Sequence, residues 1–454
     1  MKLGVVILAA GKGTRMKSAL PKVLHPLAKK PLLGHVIDTA RQLDPEKIVV
    51  VYGHGGDLVK ETFSEDNNLE WAEQAEQLGT GHAVQQAVPF LDGLDQILVL
   101  YGDVPLTSAD TLKNLLDVTA DGFGLLTVDL ENPMGYGRIV RDVNHKVERI
   151  VEQKDATDDE LEIKEINTGI MLLPGAKLST WLSNLSNSNA QNEYYLTDVL
   201  AMAVSEGIEI QVSQPDNVME AEGVNNRIQL STLEREYQRI RAEELMVGGV
   251  SLADPARVDV RGNLQHGQDV SFDVNVIIEG DVTIGDNVSI GANTVIRDSV
   301  IESNVTILEN CVIEQAHVGV DSSVGPFSRL RPGAELTGNA HIGNFVEIKK
   351  SVVGLNSKVN HLTYIGDTEI GVGVNIGAGT ITCNYDGAYK HKTIIKDKAF
   401  IGSNSALVAP VTIGENATVG AGSVIGKDAP DDKLSLTRVK QVSLNYNRPT
   451  KNKN

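Results

Sequence analysis

The segment IGDNVSIGANTV, from Ile284 to Val295, begins each of its two six-residue halves with isoleucine and glycine. The same hexad returns as VGVDSS at 318, IGNFVE at 342, IGAGTI at 376 and IGENAT at 413. An aliphatic residue at every sixth position is the signature of a parallel β-helix, in which three hexads form one triangular coil. Residues 265–425 therefore predict about nine coils at a spacing of ~4.8 Å, a prism roughly 40 Å long. A β-sandwich, the alternative, does not explain why so many hexads agree.

The hexads are interrupted between Ile381 and Ile401 by TCNYDGAYKHKTIIKDKAF, which is rich in lysine, asparagine and tyrosine. A solenoid accommodates an insertion as a loop that projects from one corner. Residues 382–399 are therefore predicted to form a projecting basic loop. After about residue 425 the period is lost, and the chain ends in the basic run RPTKNKN.

The first half of the chain has a different rhythm. Short apolar runs at Val5–Ala10, Ile48–Tyr52, Ile97–Tyr101 and Gly124–Val128 alternate with helical patterns such as Leu32–Leu43. This alternation predicts an α/β, Rossmann-like domain with a mostly parallel sheet. A long helix with apolar residues among charges should follow it. The predicted division is 1–227 for the α/β domain, 228–249 for a helical linker, 250–425 for the β-helix and 426–454 for a tail.

Composition excludes several classes of protein. Acidic residues outnumber basic ones, 60 to 41, and the net charge is −19, so a nucleic-acid partner is not expected. Only Cys311 and Cys383 are present, which favours a reducing compartment. The apolar run at the N-terminus is too short for a signal peptide or for membrane insertion. A cytoplasmic protein is expected.

The stretch LAAGKGTRMKSALPKVL, from Leu8 to Leu24, follows the first predicted strand. It fits neither the P-loop nor the dinucleotide fingerprint, but a glycine loop after a strand offers backbone N–H groups to a phosphate. Arg15 and Lys22 add positive charge. Asp103, in YGDVPL at the end of another strand, is a candidate Mg²⁺ ligand because hard cations prefer oxygen.

The same stretch resembles the sugar-1-phosphate nucleotidyltransferases, whose pattern is L-A-A-G-x-G-T-R-M followed by P-K. Further matching pieces are EQLGTGHA (76–83), YGDVPL (101–106), GYGRI (135–139), VEQKDA (151–156), EINTG (165–169) and EGVNNR (222–227). With the hexads and the VNHLTY segment around His361, the whole chain resembles the bacterial family of bifunctional N-acetylglucosamine-1-phosphate uridyltransferases and glucosamine-1-phosphate acetyltransferases. Members of this family supply precursors of peptidoglycan and lipopolysaccharide.

The resemblance implies a uridylyl-transfer site with Mg²⁺ as cofactor, held by Asp103 and Asn225. The attacking sugar phosphate is already ionised, so alignment and charge neutralisation are expected to suffice without a general base. The implied nucleotide- and sugar-binding residues are Leu8, Ala9, Ala10, Gly11, Arg15, Lys22, Gln74, Gly79, Thr80, Tyr101, Gly102, Asp103, Gly137, Glu152, Asn167 and Asn225.

For acetyl transfer the resemblance implies that His361 is the general base, a task suited to imidazole at neutral pH. Arg331 and Lys349 are separated by 18 residues, one coil of the prism, and two stacked cations suit a phosphate. The implied sugar-phosphate residues are Arg331, Lys349, Tyr364 and Asn375, and the implied acetyl-CoA residues are Ala378, Asn384, Tyr385, Ser403, Ala421 and Arg438. Glu347 could orient or assist the base. The family resemblance also implies a left-handed winding and a homotrimer.

Two alternatives remain open at this stage. The β-helix could serve only for assembly or regulation of a single-activity nucleotidyltransferase. It could also be a binding module for another protein, although the acidic charge and the lack of an aromatic patch give that reading little support.

Overall fold

The computed structural model describes residues 1–53 and 55–448, so the last six residues of the predicted basic tail lie outside the described part. The chain forms two compact units, Met1–Tyr237 and Gln238–Asn454. Their boundary falls within the longest helix, Arg227–Val247. The finer division predicted from the sequence, at residues 227, 249 and 425, stays a prediction.

The first unit contains a nine-stranded sheet and a separate two-stranded ribbon. Its strands are β1 Leu3–Ala9, β2 Pro26–Leu27, β3 Lys30–Pro31, β4 Lys47–Tyr52, β5 Leu69–Glu73, β6 Gln96–Tyr101, β7 Phe123–Asp129, β8 Arg138–Arg141, β9 Val147–Val151, β10 Glu165–Pro174 and β11 Ile210–Ser213. Along the central path the order is β11-β7-β10-β6-β1-β4-β5, and only β10 runs against the rest. The predicted mostly parallel sheet is confirmed.

Helices cover both faces of this sheet. Alternate residues of the inner strand β1 are therefore buried on opposite sides. Val5 and Ile7 pack into one apolar cluster, and Val6 and Leu8 pack into another. The helices are α1 Leu32–Arg41, α2 Gly56–Thr62, α3 Thr80–Ala87, α4 Ala109–Thr119, α5 Asp158–Leu161, α6 Gly175–Ser183, α7 Asp198–Ser205 and α8 Arg227–Val247. A strand buried on both faces needs a continuous apolar run, which is what VVIL provides.

The second unit is a parallel β-helix of 26 short strands. They are β12 Ser251–Leu252, β13 Val258–His266, β14 Ser271–Phe272, β15 Val276–Ile284, β16 Ser289–Ile290, β17 Val295–Arg297, β18 Val300–Ile301, β19 Thr306–Ile307, β20 Val312–Glu314, β21 His317–Val318, β22 Ser323–Val324, β23 Arg329–Leu330, β24 Ala334–Leu336, β25 His341–Lys349, β26 Ser351–Val353, β27 Lys358–Gly366, β28 Thr368–Ile370, β29 Asn375–Ile376, β30 Ile381–Cys383, β31 Thr393–Ile395, β32 Phe400–Ile401, β33 Ala406–Val408, β34 Val411–Ile413, β35 Thr418–Val419, β36 Val424–Ile425 and β37 Leu434–Ser435. The fold predicted from the hexads is confirmed, while its left-handed winding stays a prediction.

Inward side chains stack in register along the prism. One stack is Val260, Ile278, Ile296, Ile313, Leu330, Ile348, Ile365, Thr382, Leu407 and Ile425. All ten are buried. Each step joins one coil to the next, so nine steps span roughly 43 Å at ~4.8 Å per step. The hexad aliphatics therefore supply the single continuous core of this unit.

One corner of the prism changes character along its length. In the early coils it is occupied by Asn275, Asn293 and Asn310, all in the left-handed region, with amides bonded in a ladder at 2.8 and 3.2 Å. Asparagine tolerates this conformation because its side chain bonds locally. Further along, the same corner holds Phe327 and Phe345, then Leu362, with φ of 57°, 55° and 49°. We call these three residues the apolar corner.

The apolar corner is open to solvent. Phe327, Phe345 and Leu362 are 50%, 55% and 61% exposed. The two phenyl rings stack with their centroids 5.4 Å apart. Bulky side chains carry a steric cost in the left-handed region. Neither backbone preference nor burial within this unit therefore explains why three large apolar residues occupy this corner.

The insertion is shorter than predicted. Only residues 384–392 leave the prism, as a turn closed by a bridge between Tyr385 and Lys390. Residues 393–395 already rejoin the coil, with Thr393 paired to Thr368. The prediction of a loop over 382–399 was wrong at both ends, because Thr382 and Cys383 still belong to β30 and the buried Ile395 and Ala399 resume the inward pattern.

Within the described part of the chain, none of the helices combines the length and the apolar character needed to cross a bilayer.

Candidate active sites

A cavity of about 530 Å³ opens at the carboxyl ends of β1 and β6 in the first unit. Ligands of open α/β sheets bind at this edge. Twelve of the residues predicted for nucleotide and sugar binding line it: Leu8, Ala9, Ala10, Gly11, Arg15, Lys22, Gln74, Gly79, Thr80, Tyr101, Asp103 and Asn225. Chain segments more than 200 residues apart therefore converge on one space.

Four of these residues form a charged cluster at the cavity wall. The Lys22 ammonium is paired with the Asp103 carboxylate and lies 3.4 Å from Asn225 Oδ1. Arg15 Nη2 donates to the same asparagine oxygen at 2.7 Å. The two predicted metal ligands thus already face a common cation, the ammonium of Lys22.

This oxygen pair fits Mg²⁺. Magnesium is usually held by one or two protein oxygens, with waters and substrate phosphates completing its shell. Among the described residues no group of three or more His, Cys, Asp or Glu could hold a metal. A metal site that uses Asp103 and Asn225 therefore needs further oxygens from a bound ligand. Such a site suits an ion that binds together with phosphates and does not suit a permanent structural ion.

Gly79 begins the turn into α3, where the backbone passes close to a neighbouring segment. Its φ is +112°, and a Cβ on it would lie 2.5 Å from the carbonyl oxygen of Tyr194. Any side chain at this position would push the segment around residue 194 away from the cavity. The glycine in EQLGTGHA is therefore required by the local backbone.

The other four predicted residues lie behind the cavity surface. Gly102 N donates to Leu8 O at 2.9 Å, which ties the end of β6 to the end of β1. Asn167 N donates to Gly137 O at 2.9 Å. A Cβ on Gly137 would lie 3.5 Å from Glu152 Oε1, so Gly137, Glu152 and Asn167 form one adjoining group. Their role in sugar binding stays a prediction.

Burial raises the pKa of two groups beside the cavity. It raises the pKa of the Tyr101 hydroxyl well above its usual range, and the carboxylates of Glu152 and Asp103 add to the effect. Burial is also the main cause that raises the pKa of the Glu152 carboxyl. Glu152 accepts a hydrogen bond from Thr197 Oγ1 at 3.2 Å. Tyr101 is therefore a neutral wall of the cavity.

Sequence reasoning missed several lining residues, among them Gln77, Met134, Gly135, Tyr136, Thr168, Glu193, Gly223 and Gln229. Gly135 and Tyr136 were within the quoted motif GYGRI, so the motif marked the segment without marking the side chains. Tyr136 donates to Glu222 Oε2 at 3.1 Å. Burial, followed by the Glu222 charge, raises its pKa to about 12.

Arg138, the last polar residue of the same motif, is only 2% exposed. Its guanidinium donates to the carbonyl oxygen of Tyr136 and, at 2.9 Å, to Gln153 Oε1. The Gly135 amide donates to the same glutamine oxygen at 3.0 Å. Arg138 and Gln153 therefore hold the segment 134–136 against the cavity.

In the second unit His361 lies one residue before the apolar corner, on β27. His361 Nδ1 is 2.8 Å from Asn344 Oδ1, its register partner on the preceding coil. An amide oxygen only accepts hydrogen bonds, so Nδ1 carries the ring proton of the neutral imidazole. Nε2 then keeps its lone pair.

His361 begins a column of small residues on successive coils. Backbone N–H groups of Gly379, Asn404 and Gly422 donate to the carbonyl oxygens of His361, Ala378 and Ser403. The paired strands continue this register to Ala421. We call His361, Ala378, Ser403 and Ala421 the small-residue column. Its far end lies beside Arg438, whose Nη2 is 3.4 Å from the position of a Cβ on Gly420.

Arg331 and Lys349 also stack as predicted, since Arg331 N donates to Ile348 O at 2.8 Å on the next coil. Arg331 Nη1 bonds Glu347 Oε1 at 2.7 Å. The nearby ammonium of Lys390, followed by smaller effects that include Arg331, lowers the pKa of Lys349. Lys390 in the projecting turn thus adds a third cation that sequence reasoning did not single out.

Tyr364 and Asn384 lie together, since a Cβ on Gly366 would be 2.4 Å from the hydroxyl of the first and 2.8 Å from Nδ2 of the second. Asn384 Nδ2 bonds Asp367 Oδ2 at 2.5 Å. Tyr385 is 61% exposed in the projecting turn. Asn375 pairs with Lys358 on the other side of the apolar corner. A single chain therefore brings Tyr364 and Asn384 together but does not join Asn375 to them.

Three family models match separate parts of the chain. Residues 5–141 match the MobA-like NTP transferase domain, residues 260–337 match the GMPPB C-terminal domain, and residues 392–427 match the bacterial transferase hexapeptide (six repeats). The first match lies in the first unit, which contains the cavity, and the last lies in the C-terminal coils of the β-helix.

Whole-length relatives are similar across both units. The chain is 58% identical over 455 residues to the bifunctional protein GlmU of Acinetobacter baumannii, covering 99% of each chain. It is 56% identical over 456 residues to the bifunctional protein GlmU of Nitrosomonas eutropha, covering 100% of each. A solved UDP-glucose pyrophosphorylase complexed with UDP-glucose covers 53% of this chain and 100% of its own at 17% identity and a TM-score of 0.43, which is too distant to support an argument.

Proposed function

The chain belongs to the family of the bifunctional protein GlmU, and from that premise we propose which residues carry its two activities. It is a bifunctional enzyme with uridyltransferase and acetyltransferase activity. We assign uridylyl transfer to the cavity of the first unit and acetyl transfer to the His361 region of the second. The observation that carries the second assignment is the small-residue column, which begins at a histidine and ends beside an arginine.

In uridylyl transfer, a phosphate oxygen of N-acetylglucosamine-1-phosphate attacks the α-phosphorus of UTP, and pyrophosphate leaves with the electrons of the broken P–O bond. The nucleophile is already charged, so the chain's task is to align the two phosphates and neutralise their repulsion. We assign this task to Arg15 and Lys22, and their shared contact with Asn225 at the cavity wall supports the assignment.

Asp103 and Asn225 are the proposed Mg²⁺ ligands. When bound, the ion would neutralise charge on the phosphates. The Lys22 ammonium now pairs with Asp103. Coordination of Asp103 to the ion would release the ammonium for a phosphate of the nucleotide.

In acetyl transfer, the amine of glucosamine-1-phosphate forms a bond to the thioester carbonyl carbon, the C–S bond breaks, and the thiolate of coenzyme A takes up a proton. The amine's proton moves to His361 Nε2, the nitrogen left free by the bond from Nδ1 to Asn344. The stacked Arg331 and Lys349 would bind the sugar phosphate.

The small-residue column offers a shallow track beside the histidine. Alanine and serine leave room for an extended carrier arm, and Arg438 at its far end suits a diphosphate. Asn384 and Tyr385 would contact the same donor from the projecting turn. A larger side chain at Ala378 or Ser403 is expected to block acetyl-CoA while sparing glucosamine-1-phosphate.

We also propose that the enzyme is a homotrimer whose second units meet at the apolar corner. Phe327, Phe345 and Leu362 are exposed beside His361, and a second copy of the chain is the partner that a repeated prism can supply with three-fold closure. The acetyl site would then be completed by a neighbour. A cytoplasmic location is proposed as well, supported by the two free thiols of Cys311 and Cys383.

One experiment separates the two activities. Wild type is incubated with glucosamine-1-phosphate, acetyl-CoA, UTP and Mg²⁺, and each component is omitted in turn. Asp103→Ala should reduce uridylyl transfer by roughly 10²–10⁴, and His361→Ala should reduce acetyl transfer by roughly 10²–10⁴. Each variant is the control for the other. If His361→Ala keeps normal acetyl turnover, the general base is another residue and the assignment of His361 is wrong.

A further inference from the structure

We propose that His82 is a positioning residue that fixes the orientation of the Gln74 amide, so that the cavity recognises a base by the hydrogen on its N3 atom. Neither His82 nor the direction of that amide follows from the motif match. The inference rests on the proposed function, in which Gln74 contacts the base of UTP.

The Gln74 amide is held at its nitrogen end. Gln74 Nε2 lies 3.0 Å from the carbonyl oxygen of Gly79 and 3.1 Å from Nδ1 of His82. A backbone carbonyl oxygen can only accept, so the end of the amide beside Gly79 must be the donor. The amide orientation is therefore set by its surroundings.

The oxygen end of the amide is left for a ligand. Gln74 lines the cavity although only 3% of its surface is exposed. Among the described residues, Gln74 Oε1 accepts no hydrogen bond, and it is not one of the polar atoms sealed from solvent without a partner. The cavity thus presents one hydrogen-bond acceptor at this wall.

An acceptor at that place selects between pyrimidines. Uracil carries a hydrogen on N3, whereas cytosine has a lone pair there, so Oε1 attracts the first base and repels the second. If the amide were turned by half a rotation, its NH₂ group would face the base and the preference would reverse. Base selectivity therefore depends on what prevents this rotation.

His82 supplies that restraint together with Gly79. It lies on α3, and its ring is tilted against Tyr194 with centroids 6.5 Å apart. Nδ1 faces the Gln74 amide nitrogen and must be the unprotonated acceptor. Nε2 is 3.2 Å from Gln86 Nε2. Gln86 Nε2 also donates to the carbonyl oxygen of His82 at 3.1 Å. Because Gln86 is half-buried, water can replace that bond when its amide turns to accept the Nε2 proton, whereas Gln74 is only 3% exposed and keeps its bond to Gly79. His82 is then neutral between two amides.

The test measures kcat/KM for uridylyl transfer with UTP, CTP and 3-methyl-UTP, which lacks the N3 hydrogen. Wild type should prefer UTP over both. His82→Leu, which removes the acceptor but keeps an apolar side chain, should reduce the UTP-to-CTP ratio by roughly fivefold to tenfold, the value of about one hydrogen bond. His82→Asn, whose Oδ1 can accept in place of Nδ1, should restore most of the ratio.

Gln86→Met is the matched control at the other ring nitrogen, and it should leave the ratio within about twofold of wild type, within the spread of minor surface effects. A purely structural role of His82 would lower kcat/KM for UTP and CTP equally, and an unchanged ratio in His82→Leu would overturn the proposal. If wild type uses UTP but does not discriminate between UTP and 3-methyl-UTP, recognition of the N3 hydrogen is refuted. If wild type does not use UTP at all, the assignment of the cavity to uridylyl transfer fails instead.

Discussion

Phe345→Asn tests whether the apolar corner joins copies of the chain. Phe345 is 55% exposed and has a φ of 55°. Asparagine is the residue that the same corner uses at positions 275, 293 and 310. The substitution therefore removes an exposed aromatic ring and replaces it with a residue that suits the local backbone.

The expected loss of association free energy follows from the exposed area of Phe345 and from its backbone conformation. A phenylalanine buries roughly 150–250 Å² when fully covered, so the exposed half of Phe345 offers about 100 Å² to a partner. At ~25 cal/mol per Å² its burial contributes about 2.5 kcal/mol per subunit, a factor of roughly 50–100 in association. Relief of the left-handed strain stabilises the separate unit by about 1 kcal/mol.

Sedimentation velocity at micromolar concentration measures the assembly, and the two activities are assayed on the same samples. Phe345→Asn should dissociate, lose most acetyl transfer and keep uridylyl transfer. Phe345→Leu is the matched control, because Leu362 already occupies the equivalent corner one coil away, and it should keep both assembly and acetyl turnover. An Asn variant that assembles and acetylates like wild type would refute the role of the apolar corner.

Three further variants test individual contacts. Arg138→Met should raise KM for N-acetylglucosamine-1-phosphate by about tenfold without changing KM for UTP, since it loses one hydrogen bond to Tyr136 O and one to Gln153 Oε1, which itself holds Gly135. Equal changes in both KM values would indicate general misfolding, and Arg138→Lys should recover part of the loss. Glu152→Gln should raise the free energy of unfolding by on the order of 1 kcal/mol at pH 7–8. Burial raises the pKa of the carboxyl, so the gain is absent below the ordinary carboxyl pKa of about 4, grows as the pH rises toward the raised pKa of the folded protein, and is complete above it. Thermal melts at several pH values measure this, and a gain that is the same at every pH would contradict it. Asn344→Leu should lower acetyl kcat by about tenfold because the His361 tautomer is no longer fixed, with uridylyl transfer as the internal control.

Much of the fold was predictable because its signals are periodic. The aliphatic residues that begin the quoted hexads between Ile284 and Ile425 are buried as expected, and the strands β1, β4, β6 and β7 lie where short apolar runs predicted them. The end of the insertion was misplaced because its lysines masked the returning inward positions Ile395 and Ala399. In this segment the basic composition was given more weight than the six-residue period.

The candidate sites were only partly predictable. The small-residue column is hidden in the sequence, since His361, Ala378, Ser403 and Ala421 are separated by 17, 25 and 18 residues. The middle interval contains the projecting turn, which adds length without changing register. The direction of the Gln74 amide and the burial of Arg138 depend on contacts between distant segments, and no local pattern encodes them.

The small-residue column also sets the distance between His361 and Arg438. Each coil advances by ~4.8 Å, so the three steps from His361 to Ala421 fix a length of roughly 14 Å between the base and the cation near Gly420. If His361 and Arg438 have the roles proposed above, an acyl donor anchored at Arg438 reaches the histidine only when its arm has about that length. A donor with a short carrier, such as acetyl phosphate, could not span that distance, so on this proposal it would gain no binding energy from Arg438.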